Sequence, residues 1–533
     1  MSSIEPDDWE DQLQTPQDRV TLVTKPTQSG KTFVMIEKIK DELQVTLSET
    51  RCINVIVCDN SLVLTDQTAK RIEEELTLVN IGNSSEVYAK LSSKSETSTD
   101  LSQLIGYINT HRNVNNILMC ANGKRMEDLA GLIDHLNDRS VYSVKFTFNI
   151  WMDEADKFTN FVERFAFPII QKHNNTHLFL LTASPSHNFF QIIGDEIRVH
   201  PIEEAVTDRY HGWSDNIIKC YDYENLTHTA FVEEMLKKAQ KKALLIPGNK
   251  WFIPAKVTKK QHEIVATICC EYKMVAVIIN GNGIKIRFPD TEIITAPKTM
   301  KNKQGELMDI NQILLELYKI HNLHFYTIAI TGNYCISRGI SLLSNEFMLD
   351  YAILSDKLTK NKRDLYQLGG RLTGNVKHLP NYKPTIVFTT EPFDSNSRYW
   401  EQKSKDIARI AYDKEQDGYR PTVTKWEAEK IAGQDIVPKF EEITLSQALK
   451  CEGFTLVGRK KDRDGNYISA KELLDNGGWP KGKPVTEATV ANNPTAEYTN
   501  KRFWGLAKNE IGKKRFVPLN NGNWAMYWKE KKK

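Results

Sequence analysis

A glycine followed by a lysine and a threonine closes the stretch Lys25-Pro-Thr-Gln-Ser-Gly-Lys-Thr32, between an apolar run and a segment of helical apolar spacing. These residue types in this order suit the binding of a nucleotide's phosphates. Backbone N–H groups at such a turn and the positive end of the following helix favour phosphate oxygens, Lys31 reaches the β/γ-phosphates, and Thr32 binds Mg²⁺. Thr27, Gln28, Ser29 and Gly30 supply the cradle. The full phosphate-loop pattern also has a glycine five residues before Gly30, where this chain has Lys25. A second chemical cluster is Asp153-Glu154-Ala155-Asp156. There Asp153 suits the metal shell, and Glu154 suits positioning or deprotonating an attacking water. The same acids also suit an ordinary helix N-terminus, with Asp153 as cap.

The elements that must position these groups are legible as periodicity. Val20, Leu22 and Val23 read as a strand, and Phe33, Val34, Ile36 and Ile39 read as the helix after the loop. Phe146, Phe148, Ile150 and Met152 read as a strand running directly into the acidic cluster. From about Val20 to about Ile202, short apolar strands alternate with helix-period segments, the pattern of a parallel sheet wrapped by helices. A Ser/Thr-rich stretch, Ser84 to Ser102, reads as a surface loop with a short helix. The pattern resets around Asp215 to Thr229. A second strand series then starts at Ala243-Leu244-Leu245-Ile246 and passes through Val275 to Ile279 and Thr327 to Ile330, ending at Thr385 to Phe388.

The motifs follow one another in the order seen in superfamily 2 helicases and related nucleic-acid translocases, which this chain resembles. Lys25 to Thr32 looks like that family's motif I, with Gln28 where glycine is usual, and Asp153 to Asp156 spells its DEAD-type motif II. Thr182-Ala183-Ser184 resembles motif III. Val55 to Cys58 with Ser61, Leu62 and Gln67 is similar to motif Ia, and Ile117 to Asn122 reads as the next strand facing nucleic acid. Ile328 to Gly332 with Ser337-Arg338-Gly339-Ile340 looks like motif V, and Gln367-Leu-Gly-Gly-Arg371 looks like motif VI. Two further positions depart from the family: Gly374 stands where a second motif VI arginine is usual, and Ser341 follows motif V in place of an acid or amide. Compact motors with divergent motifs are similar in flavour to helicase-like proteins of large DNA viruses and phages.

The resemblance implies an α/β fold of two tandem RecA-like parallel-sheet lobes, 1–205 and 206–395. Beyond the lobes, charged helix-forming residues broken by Gly418 and Pro421 read as a helical linker, 396–440, and turn signals at Asp464-Gly465-Asn466 and Asn521-Gly522-Asn523 read as a small mixed α/β module, 441–533. The resemblance also implies ATP hydrolysis with Mg²⁺ in the cleft between the lobes. Lys31, Glu154 and Arg371 would be catalytic, Arg371 as an arginine finger. Thr27 to Thr32, Asp153, Gln367 and Arg371 would bind the nucleotide, Thr32 and Asp153 would hold the metal, and Thr182, Ser184, Arg338 and Gly339 would couple hydrolysis to movement. The implied partner is nucleic acid, DNA favoured over RNA. A remodelling motor without strand separation, or an ATP-binding scaffold with weak hydrolysis, stands as the alternative.

Composition agrees. The 533 residues allow two or three domains, and 40% hydrophobic with 26% charged residues is an ordinary globular balance. No apolar run approaches the ~20 residues that span a bilayer, and the acidic start at Glu5, Asp7, Asp8, Glu10 and Asp11 is unlike a signal peptide. A soluble intracellular protein without membrane attachment is expected. Eight cysteines without a C-x-x-C spacing point to reduced, mostly buried thiols. The net charge of +3 hides a basic tail, with Arg459-Lys460-Lys461, Lys513-Lys514-Arg515 and a lysine-rich end. Trp479, Phe503, Trp504, Trp524, Tyr527 and Trp528 lie among these cations, a mixture suited to stacking bases while lysines follow phosphates. The rings equally suit the core of a small domain, and the charges a solvated face.

Overall fold

The computed structural model describes residues 15–45, 50–58, 68–69, 72–75, 88–92, 98–111, 114–138, 141–142, 144–222, 226–280, 283–290, 292–296, 300, 308, 310–333, 343, 347–430, 436–444, 447, 515–518 and 524–531. They divide into two compact units, Met1–Lys425 and Trp426–Lys533. The first unit is α/β and holds two eight-stranded, mostly parallel sheets, as the resemblance implies.

The first sheet runs, edge to edge, Thr422–Thr424, Glu196–Val199, Val20–Thr24, Thr176–Thr182, Lys145–Met152, Thr50–Cys58, Asn116–Cys120 and Ala89–Leu91. Every neighbouring pair is parallel except the first, which is antiparallel. The strands Val20–Thr24, Thr176–Thr182 and Lys145–Met152 are adjacent, so their carboxyl ends, where α/β sheets bind ligands, lie side by side. Their side chains explain their central place. Val20, Leu22, Val23, Phe148, Ile150, Leu178 and Leu180 are all buried, as expected of strands covered on both faces. Trp151 stacks on Phe179 at 3.9 Å between ring centroids.

The second sheet runs Ile293–Thr295, Gly283–Arg287, Val275–Asn280, Ile328–Gly332, Lys250–Phe252, Tyr351–Leu354, Ile386–Thr389 and Ile217–Cys220. Its first two pairings are antiparallel, so that Gly283–Arg287 alone runs against the other strands, and all the remaining pairings are parallel.

Three expectations are corrected. Ala243 to Ile246 is not a strand. Ala243 has a positive φ of 51°, and Leu244 N–H returns to the Ala239 carbonyl, so these residues end the helix His228–Lys241. The strand follows at Lys250–Phe252. In the Ser/Thr-rich stretch, Ala89–Leu91 is an edge strand of the first sheet. The segment expected to be a linker is not free-standing either. Its helix begins at Glu391 and runs to Gln416, and Thr422–Thr424 then pairs with Glu196–Val199 in the first sheet.

The second unit contains an antiparallel sheet in which Trp524–Lys531 lies between Ile436–Ile443 and Arg515–Pro518. Ile436–Ile443 crosses the expected boundary at 441, so that boundary cuts a strand. Of the tail residues expected to meet nucleic acid, Arg459, Lys460, Lys461, Trp479, Phe503, Trp504, Lys513 and Lys514 lie outside the described residues. Among the described cysteines none is in a disulfide; Cys58, Cys120, Cys269 and Cys270 are buried and Cys220 is exposed. No helix among the described residues is long and apolar enough to cross a membrane.

Candidate nucleotide site

The loop after Val20–Thr24 is built by local chemistry. Ser29 donates its hydroxyl to the Pro26 carbonyl at 2.7 Å, which tightens the turn. Gly30 takes a φ of 97°, a conformation glycine adopts without cost. The helix Lys31–Val45 starts at once, with Lys31 in its first position and buried, and Thr32 half-buried beside it. Gln28, in the place where the family has glycine, has a φ of 56°. An L side chain there costs about 1–2 kcal/mol. Lys25 is also buried. Burial lowers its pKa, and the neighbouring Lys31 charge lowers it further.

The acidic cluster closes the strand Lys145–Met152. The Glu154 N–H donates to Asp153 Oδ1 at 3.0 Å, and Glu154 turns the chain through a left-handed conformation (φ 52°, ψ 41°). Asp156, to which the motifs assign no site role, is buried and organises motif III. It accepts hydrogen bonds from Thr182 Oγ1 at 2.7 Å and from Ser184 Oγ at 2.9 Å. A signal for it is present in the sequence: two hydroxyls at the end of one strand and a carboxylate just past the end of its neighbour.

Motif VI lies against both clusters. The helix Lys362–Gly369 and the 3₁₀ turn Gly370–Leu372 belong to the second half of the unit. From them, buried Gln367 donates through Nε2 to Glu154 Oε2 at 3.3 Å, and Arg363 reaches the Asp156 carbonyl at 3.4 Å. Arg371 is buried in the 3₁₀ turn. Gly370 packs so closely on the loop that an added Cβ would stand 2.4 Å from Thr27 Oγ1. Gly374, with a φ of 147°, faces Gln28, whose Oε1 would lie 3.3 Å from an added Cβ. Gln28 and Gly374, both departures from the family pattern, therefore face one another: a larger residue in the loop meets a glycine where the arginine is usual.

Thus Thr27, Gln28, Ser29, Gly30, Lys31, Thr32, Asp153, Glu154, Thr182, Ser184, Gln367 and Arg371 fall in one neighbourhood, at the carboxyl ends of three adjacent strands and the motif VI turn facing them. Arg338 and Gly339 lie outside the described residues, as do Ser61, Leu62 and Gln67. The hydrogen-bond partners of Thr27, which include Tyr210 and Tyr366, escape sequence reasoning because no spacing links either tyrosine to the loop.

No protein-family model matches the chain, and no curated protein matches it. Solved structures are similar to it. S. cerevisiae Dbp5 bound to RNA and ADP BeF3 is 12% identical with a TM-score of 0.39, covering 72% of this chain and 83% of that one. A DEAD box protein from the hyperthermophile Methanococcus jannaschii is 17% identical with a TM-score of 0.33, covering 73% and 88%. The Pyrococcus furiosus Hef helicase domain is 11% identical with a TM-score of 0.38, covering 72% and 95%.

Proposed function

We propose that this protein is an ATP-dependent nucleic-acid helicase or translocase that hydrolyses ATP between its two parallel-sheet lobes. The observation that carries the reading is the meeting of the phosphate loop, the Asp153–Glu154 turn and motif VI, with Gln367 on Glu154 at 3.3 Å. The donor set fits a magnesium nucleotide: a buried ammonium at a helix head, a hydroxyl in the first turn, carboxylates at the end of the next strand but one and a guanidinium across the cleft. When bound there, Mg²⁺ would supply charge neutralisation to the phosphates.

Lys31 and the loop amides would hold the phosphates, while Thr32 and Asp153 would hold the metal. Glu154 would accept the proton of the attacking water, and Gln367 fixes that carboxylate to the second lobe. Arg371 would place its rigid donor fork where charge builds as the lobes close. Thr182 and Ser184 link strand ends to Asp156 and so couple the sheet to the acidic turn. Nucleic acid, held mainly through phosphate and sugar, would lie across both lobes, with the second unit as a further binding module.

The test is the ATPase rate measured with single-stranded DNA, duplex DNA and RNA in parallel, for the wild type and Lys31→Ala. Nucleic-acid-stimulated turnover that the variant lacks is the expected result. Equal turnover in both proteins removes the site assignment. ATP binding without stimulated turnover turns the reading to a nucleotide-binding scaffold, which Gln28 and Gly374 favour. Strand displacement separates helicase from translocase.

A further inference from the structure

We propose that Tyr210 and Tyr366 are positioning residues for the phosphate loop, gripping the Thr27 backbone at its carbonyl and its N–H so that the second lobe sets the loop's shape. The proposal rests on the nucleotide-site reading for its consequence, though not for its geometry. Thr27 N–H donates to the Tyr366 hydroxyl at 3.2 Å. The Thr27 carbonyl accepts from the Tyr210 hydroxyl at 3.1 Å and from Thr373 Oγ1 at 3.2 Å. The Thr27 and Thr373 hydroxyls lie 3.1 Å apart. A single residue of the first lobe is therefore held at its N–H, its carbonyl and its hydroxyl by three side chains of the second, all of them buried.

The two phenols are built to stay protonated. Burial pushes both pKa values up, and the charge of buried Glu401 on the long helix adds to the effect. Tyr210 thus keeps the proton that it donates across the working pH range. Tyr366 and Gln367 are consecutive, so one short helix segment holds the phosphate loop through one residue and Glu154 through the next. Parting the lobes breaks both at once.

The need for a clamp is visible next to it. Gln28 holds a left-handed conformation where glycine would be at ease, and such strained backbone persists only where the surroundings over-determine it. Fixing the two peptide groups that flank Thr27, the second of which leads into Gln28, is that over-determination. The loop's phosphate-binding shape and lobe closure are on this account one event.

The experiment uses the full chain and reads amide hydrogen exchange of the Lys25–Gly30 segment without nucleotide, then ATP kinetics. Tyr366→Phe and Tyr210→Phe keep the buried ring and remove the hydroxyl. Each should speed exchange of the segment about 2- to 10-fold, the effect of removing one hydrogen bond. Each should also raise KM for ATP by a comparable factor with kcat little changed. Tyr142→Phe, which removes a phenol bonded to His135 at 3.0 Å elsewhere in the first lobe, should leave the segment unchanged. In a Gln28→Gly background the effect of Tyr366→Phe should shrink, since the strain that the clamp opposes is gone. Unchanged exchange in both tyrosine variants, or the same increase in Tyr142→Phe, overturns the clamp. Faster exchange in a protein that binds no nucleotide upholds the clamp and removes the proposed function instead.

Discussion

Gly370 and Thr27 touch so closely that the smallest possible side-chain change is informative. Adding one methyl group in Gly370→Ala places Cβ 2.4 Å from Thr27 Oγ1 and 2.6 Å from Thr27 Cβ, inside any real contact distance. The loop or the motif VI turn must retreat. A misplacement of about 1 Å at a reacting centre costs on the order of 100-fold in rate. Gly370→Ala should therefore lose most ATP turnover while keeping its fold by circular dichroism, and near-wild-type turnover would show that the apposition is not used in catalysis. Glu154→Gln makes a complementary prediction. It keeps the side-chain shape and the Asp153 carboxylate but removes the proton acceptor, so it should bind ATP and turn it over at least about 100-fold more slowly. Full turnover in that variant would deny Glu154 its role as base.

At the scale of elements, the strands that carry motifs are legible because each is an apolar run that ends abruptly in polar residues. Phe148 to Met152 before Asp153 and Leu178 to Leu181 before Thr182 have one reading each. Lys250–Phe252 is not legible, since three residues give no period, and nearby Leu244 and Leu245 offer a more apolar decoy. Those leucines pack instead against the core beside Phe231 and Trp251 as the chain leaves its helix. The return of Thr422–Thr424 to a strand over two hundred residues earlier depends on tertiary pairing that no local pattern encodes. The helix His228–Lys241 also carries a buried titration site. His228 lies between Ser355 Oγ at 3.0 Å and the Pro254 carbonyl at 2.7 Å, and burial holds its pKa down to about 4 from 6.5. Above pH 6.5 the ring is neutral both folded and unfolded, so the stability is intact. As pH falls from 6.5 toward 4 the unfolded chain takes up a proton that the folded one refuses, and stability should fall by up to about 3 kcal/mol. Chemical denaturation across that window should show a slope shallower by one proton in His228→Gln, and identical slopes would refute the assignment. His200, also held to about 4 mainly by burial, keeps its own share of the slope in both proteins.

For the whole molecule, the two-lobe plan is readable from motif order, but the place where the chain divides is not. Composition changes near Glu441, whereas compactness divides the chain after Lys425, and the strand Ile436–Ile443 belongs with residues beyond position 515. The mismatch has a physical cause: charge marks what a segment meets, while pairing marks what it folds with. The cut that tests the second unit therefore falls after Lys425, ahead of that strand, and not at 441. A chain ending at Lys425 should remain a folded ATPase with weaker nucleic-acid binding that is also less sensitive to salt. For every phosphate that Arg459, Lys460, Lys461, Lys513, Lys514 or Arg515 neutralises in the full chain, the truncated one should show a log–log salt slope smaller by roughly 0.7 to 0.9, because those counterions are no longer released. Trp504→Ala and Trp528→Ala in the full chain should each cost about 1–3 kcal/mol of affinity with little change in slope, if their rings stack on bases. Affinity and slope measured by fluorescence anisotropy across a salt series distinguish the two effects. If truncation leaves both untouched, the second unit does not bind nucleic acid, and its aromatic residues then serve its own core or a protein partner.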